Sequence, residues 1–196
     1  HNVRNCSAAV AVCCEMGVDF AVIREGLQNF SGIRRRFERV GEQRGVTVID
    51  DYAHHPSEIA ATLDAAGTAR FTRIIAVFQP HLYSRTRDFM KQFAESLSRA
   101  DVVVVTGIYR AREEPIPGVT AGDIVRMMRS NGHRNAHFAA TKETAIQQVL
   151  ANAGTGDGVV LMGAGDICEI GPAILEKLRG KETETVRAEG NGGRNG

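Results

Sequence analysis

The chain has 196 residues, of which 43% are hydrophobic and 24% charged, with a formal net charge of +1. That length and apolar mass suit one domain with appendages and a substantial core. The near-zero charge argues against a general nucleic-acid binder or a membrane-surface protein, and no apolar run reaches the roughly 18 residues needed to span a bilayer.

The chain opens at His1 rather than at a methionine, shows no signal-peptide pattern and runs straight into a helical pattern. It reads as a piece of something longer. Asn5 can cap a helix through Met16, with Ala9, Val12 and Cys13 on one face and Gly17 as its stop. A second helix is expected from Phe20 to Gln28, burying Val22, Ile23 and Leu27, before Ser31-Gly32 breaks the pattern. This pair, residues 1–31, has no strand of its own and looks like the tail of another domain. Its cysteines Cys6, Cys13 and Cys14, with Cys168, lack a C-x-x-C spacing, so reduced thiols in a cytoplasmic protein are the simplest reading.

From residue 32 to 179 the pattern alternates strand and helix. Phe37 to Val40 is strand-like, Gly41 to Gly45 is a hairpin-like turn, and Val46 to Asp50 is a buried strand. Pro56 suits the first turn of a helix carrying Ile59, Leu63 and Ala66. Arg73 to Phe78 and Asp101 to Thr106 are near-continuous apolar runs, as expected for parallel strands covered on both faces. A helix from Ser84 to Leu97 lies between them. Gly107 to Gly118 is a polar loop, Ala121 to Arg129 a helix, Asn135 to Phe138 a short strand, and Thr141 caps a helix to about Leu150. Gly158 to Met162 is the last strand, and a final helix carries Ile170, Ile174 and Leu178. Residues 180–196 are poor in apolar side chains and are expected to be disordered. The alternation implies right-handed crossovers and a doubly wound, mostly parallel, Rossmann-like α/β sheet.

Such a sheet brings the segments that follow its strands to one edge, where ligands of open α/β sheets bind. Here those segments are Asp50-Asp51-Tyr52 with His54-His55, then Gln79-Pro80-His81 with Tyr83-Ser84-Arg85, then Tyr109 with Arg112-Glu113, and finally Gly163-Ala164-Gly165-Asp166. Each alone has a plain alternative: a solvated loop, a histidine bonded to backbone, or Asp166 as a helix cap. Arg85 and Arg87, read as first-turn residues of a helix, sit badly with its dipole unless an anion is near. Adjacent His54 and His55 diverge, so no metal site is expected. Among Arg34-Arg35-Arg36, Arg36 begins a strand, so at least one guanidinium should enter a cleft and suit a phosphate. Asn2 and Asn5 share a helical face and can read a base edge, though Asn5 serves equally as a cap.

Together, His1 to Asn5, Gly32 to Phe37, Asp50 to Glu58, Phe78 to Thr86 and Gly163 to Ile167 resemble the C-terminal part of the Mur ligases, which build the peptide of bacterial peptidoglycan. The D-D-Y-x-H-H-P and F-Q-P-H-x-Y-S-R runs resemble the member that adds L-alanine to UDP-N-acetylmuramic acid. The resemblance covers the chain to about Leu178 and implies a short end of the central ATP-binding domain followed by the family's C-terminal domain. It implies nucleotide contacts from Asn2, Asn5, Arg36 and Asp51, and an L-alanine and muramate pocket shaped by His55, His81 and Arg85. Tyr52, His54, Tyr109, Arg112 and Asp166 would support these. It also implies ATP and Mg2+, held mainly by the central domain, and an acyl-phosphate intermediate attacked by the alanine amine. Leu82 stands where some members carry a second basic residue. No G-x-x-x-x-G-K-[ST] run occurs, so the fragment is expected to be inactive alone, lacking its N-terminal and central domains. The alternatives are a free-standing nucleotide- or anion-binding module and the related murein tripeptide recycling ligase. A nicotinamide dehydrogenase is disfavoured because the Asp50-to-Pro56 turn has no glycine.

Overall fold

Valine and isoleucine runs set the sheet, and the alternation of their side chains decides which helices cover which face. The computed structural model describes residues 2–30 and 32–190, with side chains for residues 3–30 and 32–180. It divides into two compact units, His1–Arg34 and Arg35–Gly196.

The first unit holds α1 (Asn2–Glu15) and α2 (Phe20–Asn29). Gly17, at φ 76, ends α1 as expected, with Gly17 N–H bonded to Cys14 O and Val18 N–H to Cys13 O. Asp19 caps α2 by accepting from the Ala21 N–H at 2.7 Å. Asn5 is no cap, because α1 already begins at Asn2. Of the three expected core residues only Ile23 is buried, whereas Val22 is 59% and Leu27 39% exposed. Two helices make one layer each, and a core needs apolar surface on both sides of a seam.

The second unit begins with β1 (Glu38–Gln43), β2 (Val46–Asp51), α3 (Pro56–Thr68) and β3 (Ile74–Phe78). It continues through α4 (Tyr83–Asp88), α5 (Met90–Leu97), β4 (Val102–Thr106), α6 (Ala121–Ser130) and β5 (Ala136–Ala139). It closes with α7 (Lys142–Asn152), β6 (Gly158–Met162), a 3-10 turn (Ile167–Glu169) and α8 (Ile170–Gly190). The strand order is β1-β2-β6-β3-β4-β5, parallel except for the β1–β2 hairpin. Along β3, Ile74, Ala76 and Phe78 face the helices α3, α5 and α6, while Ile75 and Val77 face α7 and α8. The same alternation runs through β4 and β6, so the sheet is covered on both sides as the doubly wound reading requires.

Three boundaries differ from expectation. β1 runs on to Gln43 because the hairpin turns on two residues alone, Arg44 (φ 55) and Gly45 (φ 71). Positive φ at both matches the twist of the flanking strands. The helix expected over Ser84 to Leu97 is two helices, broken at Phe89 (φ −114, ψ 15). The break lets Phe89 meet His55 edge-on at 4.8 Å while Phe93, Ala94 and Leu97 enter the core. Third, α8 carries helical backbone past Gly180 to Gly190, where lysine, glutamate, arginine and alanine favour helix. Residues 191–196 of the expected tail lie outside the described residues. No helix among the described residues is long and apolar enough to cross a membrane.

β6, last in sequence, inserts between β2 and β3. The segments after β2, β6, β3 and β4 therefore leave one edge side by side. From there α3 and α5 pack on one face of the sheet and α8 on the other, which opens a crevice at that edge.

Candidate functional site

At the end of β2, two adjacent acids are both buried, Asp50 at 4% and Asp51 at 2% exposure. Asp51 accepts from the Phe37 N–H through one oxygen and from the Ala53 N–H through the other, each at 2.8 Å. Both of its oxygens are thus engaged by backbone N–H groups inside the fold. Asp50 accepts from Arg35 Nε at 3.2 Å, and its other oxygen is buried without a partner. Burial raises the Asp50 carboxyl above its ordinary value, against the lowering effect of Arg35.

Arg35, not Arg36, is the inward arginine. Its backbone is left-handed at φ 58, which turns its side chain back under the strand ends. Besides Asp50 it reaches the Gly163 carbonyl at 2.6 Å and lies 4.8 Å over the Tyr52 ring. Arg36 precedes β1 rather than beginning it, and it is exposed.

His55 is the N-cap of α3: its Nδ1 accepts from the Ser57 N–H at 3.5 Å and sits 3.0 Å from the Ser57 hydroxyl. Glu58 completes the capping box by accepting from the N–H groups of His54 and His55. Burial opposes the charged form of Glu58, yet those two N–H groups and His54 hold its carboxyl below its usual value. His54 contacts the Tyr52 carbonyl at 2.9 Å and meets the His81 ring edge-on at 5.9 Å.

The ends of β3 and β4 are laced together. The Tyr109 N–H donates to Pro80 O at 2.8 Å, and the Leu82 N–H to Tyr109 O at 2.9 Å. His81 stacks on Tyr109 with ring centroids 5.6 Å apart. Arg85 points at His81, one guanidinium nitrogen lying 3.4 Å from its Nδ1. That geometry makes the imidazole the acceptor and therefore neutral. Burial first, then the charges of Arg85 and His54, push the His81 pKa down, with Glu113 opposing. Among the described residues Arg85 makes no ion pair, whereas its neighbour Arg87 is paired with Asp88. Because α4 is only six residues long, both arginines lie in its last turn, and the dipole objection raised from sequence does not apply. Arg112 is exposed in the loop after β4.

At the end of β6, Gly165 lets the chain pass close to its neighbours: a Cβ there would lie 2.4 Å from Gln79 Oε1 and 2.6 Å from the Tyr109 ring, so one of them would have to shift. Asp166 is no side-chain cap. One of its oxygens accepts from Gln79 Nε2 at 2.8 Å, and the other pairs with Lys142 Nζ at 2.6 Å. Burial opposes the charged form of Asp166, but Lys142 and Gln79 hold its carboxyl low. Gln79, Tyr109, Arg110, Lys142 and Asp166 line a cleft of about 510 Å³.

The crevice thus gathers Tyr52, His54, His81, Arg85, Tyr109 and Asp166, while Asp51 holds two backbone N–H groups and His55 caps α3. The Asn5 side chain lies on α1 in the first unit, and the Asn2 side chain lies outside the described residues. Sequence reasoning expected at least one of Arg34, Arg35 and Arg36 to enter a cleft but gave the role to Arg36 rather than Arg35, and it missed Lys142. For Lys142 the signal was its position just after the Thr141 cap, where a cation needs anionic neighbours. No group of three His, Cys, Asp or Glu able to hold a metal ion exists among the described residues.

Comparison with known proteins agrees with this architecture. Residues 35–165 match the family model for the Mur ligase glutamate ligase domain. The UDP-N-acetylmuramate–L-alanine ligase of Salinibacter ruber is 50% identical over 179 residues, which is 91% of this chain and 38% of that protein. Among solved structures, the UDP-N-acetylmuramate–alanine ligase of Thermotoga maritima superposes with TM-score 0.77 at 29% identity, covering 92% of this chain and 38% of that one. The murein peptide ligase of Psychrobacter arcticus gives TM-score 0.65 at 28% identity, covering 91% and 37%. This chain spans 38% to 40% of the length of the curated relatives it matches.

Proposed function

The chain belongs to the Mur ligase family, and from that premise we propose that it forms the C-terminal part of an ATP-dependent ligase adding L-alanine to UDP-N-acetylmuramic acid. In that reading the first unit is the end of the central ATP-binding domain. The second unit is the C-terminal domain that receives the amino acid. The observation that carries the reading is Arg85: a half-buried guanidinium at the sheet edge, without a carboxylate partner, beside a neutral His81. A planar fork of donors without a carboxylate partner suits one, and L-alanine brings one.

The family reaction passes through a muramyl acyl phosphate. The alanine amine attacks its carbonyl, forming the amide bond and releasing phosphate. This chain contributes no nucleophile to that step. Arg85 and His81 fix the alanine carboxylate, which orients the amine and turns a bimolecular encounter into a positioned one. The rings of Tyr52, His54 and Tyr109 lie along the same side as His81, so the methyl group of alanine would meet ring edges there. Leu82, where some members carry a second basic residue, leaves Arg85 as the single guanidinium of that loop start. Arg36 is exposed at the start of the second unit and available to a nucleotide phosphate. The described residues hold no group of three His, Cys, Asp or Glu able to hold a metal ion, and no step is assigned to magnesium.

The sequence contains no phosphate loop, so ATP turnover is expected only with the remainder of the ligase. A chimera tests this. The matching segment of the Salinibacter ruber enzyme is replaced by this chain, and formation of the L-alanine product is followed. The chimera should be active, and Arg85→Ala or His81→Ala within it should raise KM for L-alanine. An active chimera in which both substitutions leave KM unchanged would remove this assignment.

A further inference from the structure

Helix α4 carries Arg85, yet little of its own chemistry holds it in place. It has six residues, buries only Thr86 among them, has no acidic residue in its first turn and no side-chain cap at Leu82. Leu82 itself sits at φ 72 and ψ 137, a conformation that L residues adopt only when their surroundings impose it. What holds the start of this helix comes from the loop after β4. The Ser84 N–H donates to Glu113 Oε2 at 3.0 Å, and the Ser84 hydroxyl donates to Glu113 Oε1 at 2.5 Å. One carboxylate from another segment therefore caps α4 through both of its oxygens. Both Glu113 oxygens are bonded to Ser84, and Glu113 makes no direct ion pair with Arg85 among the described residues, though the two charges interact.

We propose that Glu113 is a positioning residue, capping α4 from the neighbouring loop and thereby setting Arg85 and His81 at the spacing that receives the L-alanine carboxylate. The ligand named here rests on the reading given under Proposed function; the clamp itself rests on geometry alone. Glu113 also lies near Arg85, Arg87 and His81, so its removal changes the local field as well as the cap. The Ser84 hydroxyl and N–H, ahead of any other influence, hold the Glu113 carboxyl below its ordinary value. The clamp is therefore fully formed above the ordinary glutamate range and is lost as pH falls through the lowered value.

The test uses the 196-residue chain, isotope-labelled, as wild type, Glu113→Ala and Glu113→Gln. Amide exchange is read at Thr86 and Phe89, whose N–H groups donate to Leu82 O and Arg85 O. L-alanine is then titrated at Arg85 and His81, with the β3 amides as a control for the fold. Glu113→Ala should speed exchange at Thr86 and Phe89 by about tenfold or more and weaken L-alanine by about fivefold, with β3 unchanged. Glu113→Gln, which keeps an acceptor, should recover part of both losses. Unchanged exchange would overturn the clamp, and faster exchange with unchanged L-alanine affinity would overturn the positioning role. A wild-type chain that gives no response to L-alanine would sink the ligand reading, and the exchange measurement would still decide the clamp.

Discussion

Two segments of this molecule look equally rich in chemistry and use it in opposite ways. The segment after β2 offers two acids, a phenol and two imidazoles. The segment after β3, with the loop after β4 against it, offers a histidine, an arginine and a tyrosine. In the first, much of the polar chemistry is engaged by the fold: Asp51 holds two backbone N–H groups, His55 caps α3, and Glu58 holds two more, although one Asp50 oxygen is buried without a partner. In the second, Arg85 and His81 face each other, and among the described residues Arg85 makes no direct ion pair, the nearby Glu113 carboxylate being bonded to Ser84. The difference teaches that a polar residue at a strand end is a binding candidate to the extent that the fold leaves it unpaired. Burial and partners, not residue type, separate the two.

The largest test of that contrast is Asp51→Ala. It leaves the Phe37 and Ala53 N–H groups without their acceptor, so unfolding free energy should drop by about 2–4 kcal/mol in a urea titration. A loss under about 0.5 kcal/mol would mean that Asp51 is not structural. Gly165→Ala comes next. The added Cβ would strike Gln79 and Tyr109, so stability should fall by about 1–3 kcal/mol and the Tyr109 ring resonances should move. Arg85→Ala should change stability by no more than about 0.5 kcal/mol. It should weaken L-alanine binding by about tenfold, because a charge-assisted pair is lost.

The smallest effect is in pH. The folded-state pKa of His81 is depressed, chiefly by burial, so the folded chain disfavours its protonation. Its contribution to stability is then whole above the ordinary histidine value and is lost as pH falls through the depressed value. A carboxylate at Arg85 should raise the His81 pKa, so L-alanine should bind with proton uptake below neutrality. Proton NMR of the His81 ring, with and without L-alanine, reads this directly. A pKa that does not rise would place the carboxylate elsewhere.

The fold was legible because β-branched runs and cap signals are local. The four-valine run of β4, the Thr141 cap of α7 and Gly17 at the end of α1 each state their structure within a few residues. The site was legible in part. His81 and Arg85 could be marked from their place after β3. Asp51 could not be told from Asp50, since which acid reaches the Phe37 N–H depends on a left-handed turn at Arg35 and Phe37. The same turn moved the inward guanidinium from Arg36 to Arg35. The break of α4 from α5 depends on packing of Phe89 against His55, a contact 34 residues apart in sequence. Lys142 and Asp166 meet only once β6 has inserted beside β3. Pairings across that distance leave no mark in a local pattern.

The most direct measurement of the contrast is chemical-shift mapping of the whole chain during an L-alanine titration. The largest movements are predicted at Arg85 and His81, with smaller ones at Tyr109 and His54, and none at the amides of Phe37 and Ala53 that Asp51 holds. Movements centred on Asp51 and His55, with Arg85 silent, would contradict the account.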